Sequence, residues 1–330
     1  MIAGLARRAW ELARLWRSRF LDPEALSALQ LRKLQCLVRH AYEEVPFYRA
    51  LYRDAGFQPG DLRNLDDFRR LPLVTKAELR QAGEEHIISR RFDPRHGVVF
   101  HTSGTTGEPF RVYVTVGERR TRSLVDFRCL LAAGFRPRDR LVRLGPLHER
   151  PSSLAERLGF YPVCTIPGDL PVQEQLQRLA KSKPDLLWSY PSPLAALLSL
   201  EPQLRRVAQP RSLVVSSAVL EPALRRKAEQ GLGAEVFLAY GAVETGRIAA
   251  ECPAHEGLHV NADHVLLEIL SGSRPAAPGE TGVAVVATLN QYGMPLIRYR
   301  LGDLCAWTDR ACSCGCTLPL VHPPEGRSDD

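Results

Sequence analysis

The nine residues His101-Thr102-Ser103-Gly104-Thr105-Thr106-Gly107-Glu108-Pro109 contain four hydroxyls, two glycines and little else. Hydroxyls donate to oxyanions, and glycines let the backbone come close and adopt φ > 0, so such a stretch can turn several N–H and O–H groups onto one anion. Phosphate suits that chemistry. Gly107 is followed by Glu108 with no lysine near it, which excludes a phosphate loop of the G-x-x-x-x-G-K-[ST] kind. Taken alone, a Gly/Ser/Thr tip is more often a plain polar hairpin than a binding site. A second stretch, Tyr240-Gly241-Ala242-Val243-Glu244-Thr245, offers a ring that can stack on a purine and a glycine that lets the backbone read its edge. Its carboxylate can hold Mg²⁺ against phosphate oxygens. Alone, it too reads as a turn with a solvated glutamate, and Gly302-Asp303 alone is only a turn.

The eight cysteines suggest a different chemistry. In a reducing compartment they point to metal or to plain burial before disulfides. Cys312-Ser313-Cys314-Gly315-Cys316 is a compact thiolate cluster, and the stretch from Cys252 to His259 is a second half-site. Zinc takes four N or S donors in a tetrahedron, commonly two from each of two segments. The set expected is Cys252, His259, Cys312 and Cys314, with His255 and Cys316 as substitutes. Four protein donors leave no open position, so the expected role is structural. The bland alternative is buried or surface thiols. Cys36, Cys129, Cys164 and Cys305 lie in apolar contexts and suggest no function.

These residues need elements to position them. Val98-Val99-Phe100 and the alternating Arg111-Val112-Tyr113-Val114-Thr115 flank the hydroxyl-rich stretch as two strands of a hairpin. Beyond residue 121, candidate strands at 140–144, 186–190, 212–217 and 234–240 alternate with candidate helices at 172–181, 193–200 and 222–230, the last closed by Gly231. That alternation predicts a mainly parallel, helix-covered sheet. Ligands on such sheets sit at the carboxyl ends of strands, which puts Ser216-Ser217-Ala218 and Tyr240-Gly241 on one rim. Leu144-Gly145-Pro146-Leu147-His148, with residues near Tyr190 and Ala239, is expected to line a substrate pocket. Residues 271–282 form a loop between strands 265–270 and 283–288.

At the N-terminus, residues 1–20 read as an amphipathic helix. Leu5, Trp10, Leu12, Leu15, Trp16 and Phe20 are set among Arg7, Arg8, Arg14, Arg17 and Arg19. A basic helix with tryptophans can lie on an anionic membrane; the commoner reading packs it on the domain with its arginines in solvent. A second helix spans 23–44 and stops at Val45-Pro46, since the residue before proline avoids the α region. Thr75 and Glu78 form a capping box that opens a short helix.

With 330 residues, 45% hydrophobic and 25% charged, the chain has the composition of a soluble globular protein. It has no apolar run long enough to span a bilayer and no signal-peptide pattern, so the cytoplasm is expected. A net charge of +7 gives a mild attraction for anionic small molecules, acidic partners or a membrane face. A zinc-ribbon nucleic-acid binder would need basic and aromatic residues interleaved as a stacking platform; that pattern is missing, and no nucleic-acid partner is expected.

In order and spacing, these stretches resemble a known family. T-S-G-T-T-G-E-P resembles the phosphate-binding loop of the adenylate-forming superfamily, the acyl- and aryl-CoA synthetases and their relatives. His40-Ala41-Tyr42-Glu43-Glu44-Val45-Pro46-Phe47-Tyr48-Arg49, Leu65-Asp66-Asp67-Phe68 and Leu71-Pro72-Leu73-Val74-Thr75-Lys76 resemble the lead-in of the phenylacetate–CoA ligase branch, which includes relatives associated with capsular-polysaccharide loci. Tyr240 to Glu244 resembles the family's Tyr-Gly-x-Thr-Glu motif, with Val243 where threonine is usual. Ser216-Ser217-Ala218-Val219 resembles the adenine-side segment, with Val219 where many relatives have an acid. Arg298-Tyr299-Arg300-Leu301-Gly302-Asp303-Leu304 resembles Arg-Tyr-Arg-Thr-Gly-Asp-Leu, with Leu301 replacing threonine. Glu325-Gly326-Arg327-Ser328-Asp329-Asp330 resembles the hinge to a small C-terminal domain.

The resemblance implies an α/β fold, with the helix-covered, mainly parallel sheets of the adenylate-forming large domain and a β-rich, zinc-stapled C-terminal part. It implies a helical lead-in over 1–90 packed on the core and an AMP-binding large domain over 91–330. The family's small C-terminal domain, with its lysine, is expected to be absent. It implies that ATP and a carboxylic acid, by family default an aryl acetate, give an acyl-adenylate, which CoA converts to a thioester. Thr102, Glu244 and Arg327 would be catalytic, with Glu244 holding Mg²⁺. Ser103, Gly104, Thr105, Thr106 and Gly107 would bind phosphate, Ser217, Ala218, Tyr240 and Gly241 the adenine, and Asp303 both ribose hydroxyls. Asp329 would be the hinge pivot. The C-x-C-G pattern recurs in a zinc-bearing subset, which implies structural Zn²⁺ at Cys252, His259, Cys312 and Cys314. Oligomeric state stays open. The alternative is a degenerate or truncated nucleotide-binding protein without full ligase turnover, motivated by Val243, Leu301 and the end at Asp330.

Overall fold

A computed structural model describes residues 2–102, 109–145, 159, 161–216 and 219–328, with main chain only for 2–9. The chain forms two units, one of residues 1–128, 241–249 and 259–330, the other of 129–240 and 250–258.

The second unit is built on five strands in the order Val163–Pro167, Leu141–Gly145, Leu186–Ser189, Ser212–Ser216, Glu235–Ala242. Every pairing among them is parallel. Leu186–Ser189 and Ser212–Ser216 are buried at each position, which is why they read as unbroken apolar runs. Their side chains pack with Leu179, Leu194, Leu197 and Leu204 from the helices Val172–Ser182, Pro191–Leu198 and Glu201–Val207. The helix at 222 runs past Gly231 and ends at Leu232; its left-handed cap is Gly233, at φ 66. Gly231 is instead a packing glycine, since a Cβ there would lie 3.0 Å from Glu201 Cγ and 3.1 Å from Leu198 Cδ2. The strand Val163–Pro167 was not expected. It lies at the edge and is half-exposed, so it carries no apolar run for a reader to find.

The first unit begins with helices Ile2–Arg17, Pro23–Glu44 and Pro46–Asp54. Asp22 caps the second by accepting from Ala25 N at 2.7 Å, and Leu26, Gln30, Leu34, Leu37, Val38 and Ala41 form its buried stripe. Pro46 both ends this helix and, at the first position of the next, starts another. The hairpin is present as Gly97–His101 paired antiparallel with Arg111–Thr115. A five-stranded sheet runs in the order Arg274–Pro275, Val265–Ser271, Gly282–Thr288, Tyr299–Cys305, Gly326–Arg327, all antiparallel.

The lead-in is tied to this sheet. Val74 pairs with Tyr299 in an isolated parallel bridge, with Val74 N donating to Arg298 O at 2.9 Å and Arg300 N to Val74 O at 2.8 Å. Arg298, at φ 48, donates to Leu71 O at 2.6 Å and forms an ion pair with Glu268 at 3.0 Å. The Tyr48 hydroxyl donates to Pro295 O at 3.1 Å and accepts from Ile297 N at 3.0 Å. The N-terminal helix is held by the buried Arg128–Asp263 pair at 2.8 Å, from which Arg128 also reaches Leu15 O at 2.6 Å.

Candidate active site

Thr102 closes the hydroxyl-rich hairpin. Its N–H donates to Phe110 O at 3.0 Å, and its hydroxyl accepts from Phe110 N at 3.2 Å. It is buried, so the hairpin's hydrogen-bonded neck sits directly before the tip. Ser103, Gly104, Thr105, Thr106 and Gly107, the tip itself, lie outside the described residues. So do Ser217, Ala218, Asp329 and the pocket candidates Pro146, Leu147 and His148.

Glu244 occupies the turn between the strands Glu235–Ala242 and Gly246–Glu251. That turn is tight. A Cβ on Gly241 would lie 2.5 Å from Gly246 O, Gly246 is at φ 74, and Thr245 N donates to Ala242 O at 3.3 Å. The geometry turns the Glu244 side chain inward, where its carboxylate is 7% exposed, and the Lys76 ammonium lies 2.7 Å from Oε1. The Tyr299 hydroxyl donates to the same oxygen at 3.4 Å; burial and the Glu244 charge push that hydroxyl's pKa up. Arg122 fixes the turn from its main-chain side. It donates to Val243 O at 3.0 Å, to Glu244 O at 2.5 Å and to Gln291 Oε1 at 2.6 Å. Burial draws the Arg122 guanidinium down to about 10, opposed by the nearby Glu118, Asp126 and Glu244 carboxylates.

Tyr240 is buried at the last position before Gly241. Within the second unit, Ser216 stands in register with Ala239, so the strand ends leading to 217 and 240 are neighbours. Gly145 ends its strand against Tyr190, whose ring would lie 2.4 Å from a Cβ there. In the first unit Asp303 and Arg327 are cross-strand partners; Arg327 donates to Leu301 O at 3.2 Å, and Ser328 N to Gly302 O at 2.7 Å.

No family model matches the chain. The phenylacetate-coenzyme A ligase of Thermus thermophilus is 35% identical over 328 residues, spanning 94% of this chain and 72% of that protein. The phenylacetate-coenzyme A ligase of Escherichia coli is 34% identical over 334 residues, spanning 94% and 74%. The chain belongs to the phenylacetate–CoA ligase family. Its fold is that of a 2-hydroxyisobutyryl-CoA ligase solved in an open conformation with 2-HIB-AMP and CoA, at TM-score 0.82 over 95% of this chain and 72% of that one, with 23% identity. The α/β architecture expected from the sequence is therefore present. Among the described residues no helix is long and apolar enough to cross a membrane.

Compared with the family motifs, the two valine departures and the leucine differ in setting. Val243 and Val219 are exposed, while Leu301 is buried in its strand. Lys76, Arg122 and Tyr299 were not among the expected site residues. Lys76 and Tyr299 both lie within stretches that carry the family resemblance, but nothing local marks them as partners of Glu244.

The cysteine cluster is also visible in this ligase-family chain. In the first unit, His259, Cys312 and Cys314 offer ligand atoms within 4.8 Å of one another. His259 Nε2 is 3.3 Å from Cys314 Sγ, and its Nδ1 is 3.4 Å from Leu318 O. A ring held by a backbone carbonyl while its other nitrogen faces a thiol is a metal-ligand arrangement. Gly315, at φ 78, makes the knuckle turn, with its N–H donating to Cys312 O at 3.3 Å, and Cys316 N donates to Cys314 Sγ at 3.4 Å. Burial pushes the Cys316 thiol up, but the His259 hydrogen bond and charge outweigh it and bring it down. Cys252 is buried in the second unit just past Glu251. His255 is engaged elsewhere, 3.1 Å from both Glu235 Oε1 and Arg225 Nη2.

Proposed function

We propose that this chain uses ATP to convert a carboxylic acid to an acyl-adenylate, releasing pyrophosphate, and that the acyl group then passes to the CoA thiol with AMP leaving. The observation that carries this reading is Glu244: a carboxylate buried in the turn directly after Tyr240-Gly241, with a lysine ammonium 2.7 Å away. The attacking carboxylate and the triphosphate repel each other, so the site must bring cations and hydrogen-bond donors to the phosphates and align one carboxylate oxygen with the α-phosphorus. No protein nucleophile is needed. The substrate oxygen forms the new O–P bond as the bond to pyrophosphate breaks.

Glu244 suits Mg²⁺, a hard cation that takes carboxylate and phosphate oxygens, because its oxygen already faces a positive charge. Mg²⁺ bound there would neutralise phosphate charge. Arg122 holds the Glu244 main chain so that the carboxylate need not reorganise. Thr102 fixes the neck that leads into Ser103, Gly104, Thr105, Thr106 and Gly107, the stretch whose hydroxyls and N–H groups are suited by type to bind phosphate. Asp303 accepts the ribose hydroxyls, Arg327 beside it supplies positive charge, and Tyr240 stacks on adenine. The acid is an aryl acetate, the class for which the relatives are named, and the cytoplasm, which holds ATP and CoA, suits the reaction.

Exchange of labelled pyrophosphate into ATP, run across a panel of carboxylic acids that includes phenylacetate, tests the proposal. Acid-dependent exchange is the expected result. ATP binding without exchange for any acid would replace it with a nucleotide-binding protein that does not turn over, as the exposed Val243 would suggest. A zinc ion is proposed separately, held by His259, Cys312 and Cys314 with Cys252 as the fourth donor expected from the sequence; four donors make it structural. Elemental analysis that finds no zinc in the purified chain would remove it without touching the ligase reading.

A further inference from the structure

The first helix presents an outer face that its packing does not explain. A helix that merely docks on a domain buries its aromatic residues and leaves its charges in water. Here Trp10 is 62% exposed and Phe20 51%. Between them Arg14 and Arg17 are exposed at helical spacing from Trp10. The Arg14 guanidinium lies 5.5 Å above the Trp10 ring, and that of Arg19 lies 4.4 Å above Trp16 and 5.7 Å above Phe20. Glu11, the helix's acidic residue, lies 3.5 Å from Arg120.

The opposite side is firmly attached. Leu15 and Ser18 are buried, Arg128 donates to Leu15 O at 2.6 Å, and Ser18 Oγ donates to Asp263 at 2.7 Å. Past the helix, the Thr317 hydroxyl lies 3.0 Å from Arg19 O and 2.6 Å from Leu21 O. The face is therefore a fixed platform rather than a frayed end. It has two aromatic tips separated by about 15 Å of helix axis and arginines between and beside them.

We propose that this face is a peripheral docking surface for an anionic lipid bilayer. Tryptophan and phenylalanine enter the interfacial region, where an amphipathic ring is stable, and arginines meet lipid phosphates there. Stacking the Arg14 and Arg19 guanidinium groups on rings presents both groups together. A membrane is favoured over an acidic protein because the face is a convex stripe with its apolar groups at the tips, which enter a fluid interface without needing matching pockets. So few contacts give weak, reversible, salt-sensitive attachment. The inference is independent of the ligase reading, since adenylation in solution does not use these residues.

The test is co-sedimentation of the full chain with vesicles of phosphatidylglycerol and phosphatidylcholine in equal parts, and with vesicles of phosphatidylcholine alone. Binding is expected on the mixed vesicles only and is released by added salt. Arg14→Gln and Arg17→Gln should each lower affinity about fivefold. Trp10→Ala with Phe20→Ala should lower it further without changing the salt dependence. Brominated lipids should quench fluorescence of the wild-type chain, and Trp10→Phe should reduce that quenching, with Trp16 accounting for the remainder. All four positions lie on the surface, and unchanged thermal unfolding of each variant verifies that it folds. The proposal is overturned if the wild-type chain stays in the supernatant with mixed vesicles, including where it captures an acidic protein instead. Variants that bind as wild type does overturn it equally.

Discussion

Changing Lys76 to methionine tests whether the lysine occupies the place proposed for Mg²⁺ on Glu244. The ammonium lies 2.7 Å from Glu244 Oε1, with side-chain exposures of 29% and 7%. Breaking a fully buried pair costs about 3–5 kcal/mol because a charge is left unpaired, while an exposed pair is worth about 0–1 kcal/mol. With one partner buried and the other one-third open, the loss should be about 2 kcal/mol. The Tyr299 hydroxyl, at 3.4 Å, can offset only part of it. For a chain of this size that loss lowers Tm by about 2–5 °C. Saturating Mg·ATP should then narrow the gap between the two proteins. On the proposed role of Glu244 as the Mg²⁺ ligand, wild type separates Lys76 from Glu244 to admit the metal, whereas the variant gains a partner for an orphaned carboxylate, and the difference returns as linkage. Differential scanning fluorimetry with and without Mg·ATP measures both terms. An unchanged Tm without ligand would show that Lys76 does not balance Glu244. A gap of equal size with and without Mg·ATP would show that metal and lysine do not compete for the carboxylate.

Three further outcomes are expected. Val243→Thr restores a hydroxyl at an exposed turn position, and one added hydrogen bond to phosphate, worth about 1 kcal/mol, should raise the exchange rate about fivefold. His264 is pulled down to about 3 by burial, then by the Arg122 charge, and its Nε2 lacks a partner among the described residues. The unfolded chain, with an ordinary histidine near pH 6.5, takes up a proton between pH 6.5 and 3 that the folded chain refuses. Stability should therefore fall as pH drops through that window, by on the order of a few kcal/mol, and His264→Gln should flatten the decline seen in urea unfolding. Cys312→Ser and His259→Gln should each abolish zinc in elemental analysis and lower Tm, while His255→Gln, whose ring faces Glu235 and Arg225, should keep the metal.

What the sequence revealed was whatever is encoded over a few consecutive residues. Buried parallel strands show as runs such as Leu213-Val214-Val215, because both faces are covered. The capping box of Thr75 and Glu78 closes within its own turn, with Glu78 N on Thr75 Oγ1 at 3.2 Å and Thr75 N on Glu78 Oε2 at 2.7 Å. Glu244 is singled out only by the family motif that Tyr240 to Glu244 resembles, since alone the stretch reads as a turn with a solvated glutamate. What could not be read depended on distant chain. The edge strand Val163–Pro167 owes its place to Leu141–Gly145 rather than to its own pattern. Gly231 and Gly233 are both plausible helix stops by residue type; the helix stops at Gly233, at φ 66, and Gly231 is a packing glycine against Leu198 and Glu201.

The same division runs through the site. Glu244 stands in a short motif that the resemblance points to, but its charge balance cannot be read there, since both cations arrive from elsewhere. Lys76 reaches it because Val74 bridges to Tyr299, a pairing between segments far apart in sequence that also brings the Tyr299 hydroxyl to the same oxygen. Arg122 reaches it from the middle of the helix Val116–Ala132, where an arginine looks like any solvent-facing charge until Gln291 and the carbonyls of Val243 and Glu244 are seen around it. A carboxylate in a short motif marks where negative charge is wanted. Whether it is held ready for a cation depends on how the chain gathers its partners, and here the lead-in before the hairpin supplies one of them. On the proposed role of Glu244, loosening the Val74–Tyr299 bridge should impair exchange even with every motif residue intact, and an unchanged exchange rate would separate the lead-in from the reaction.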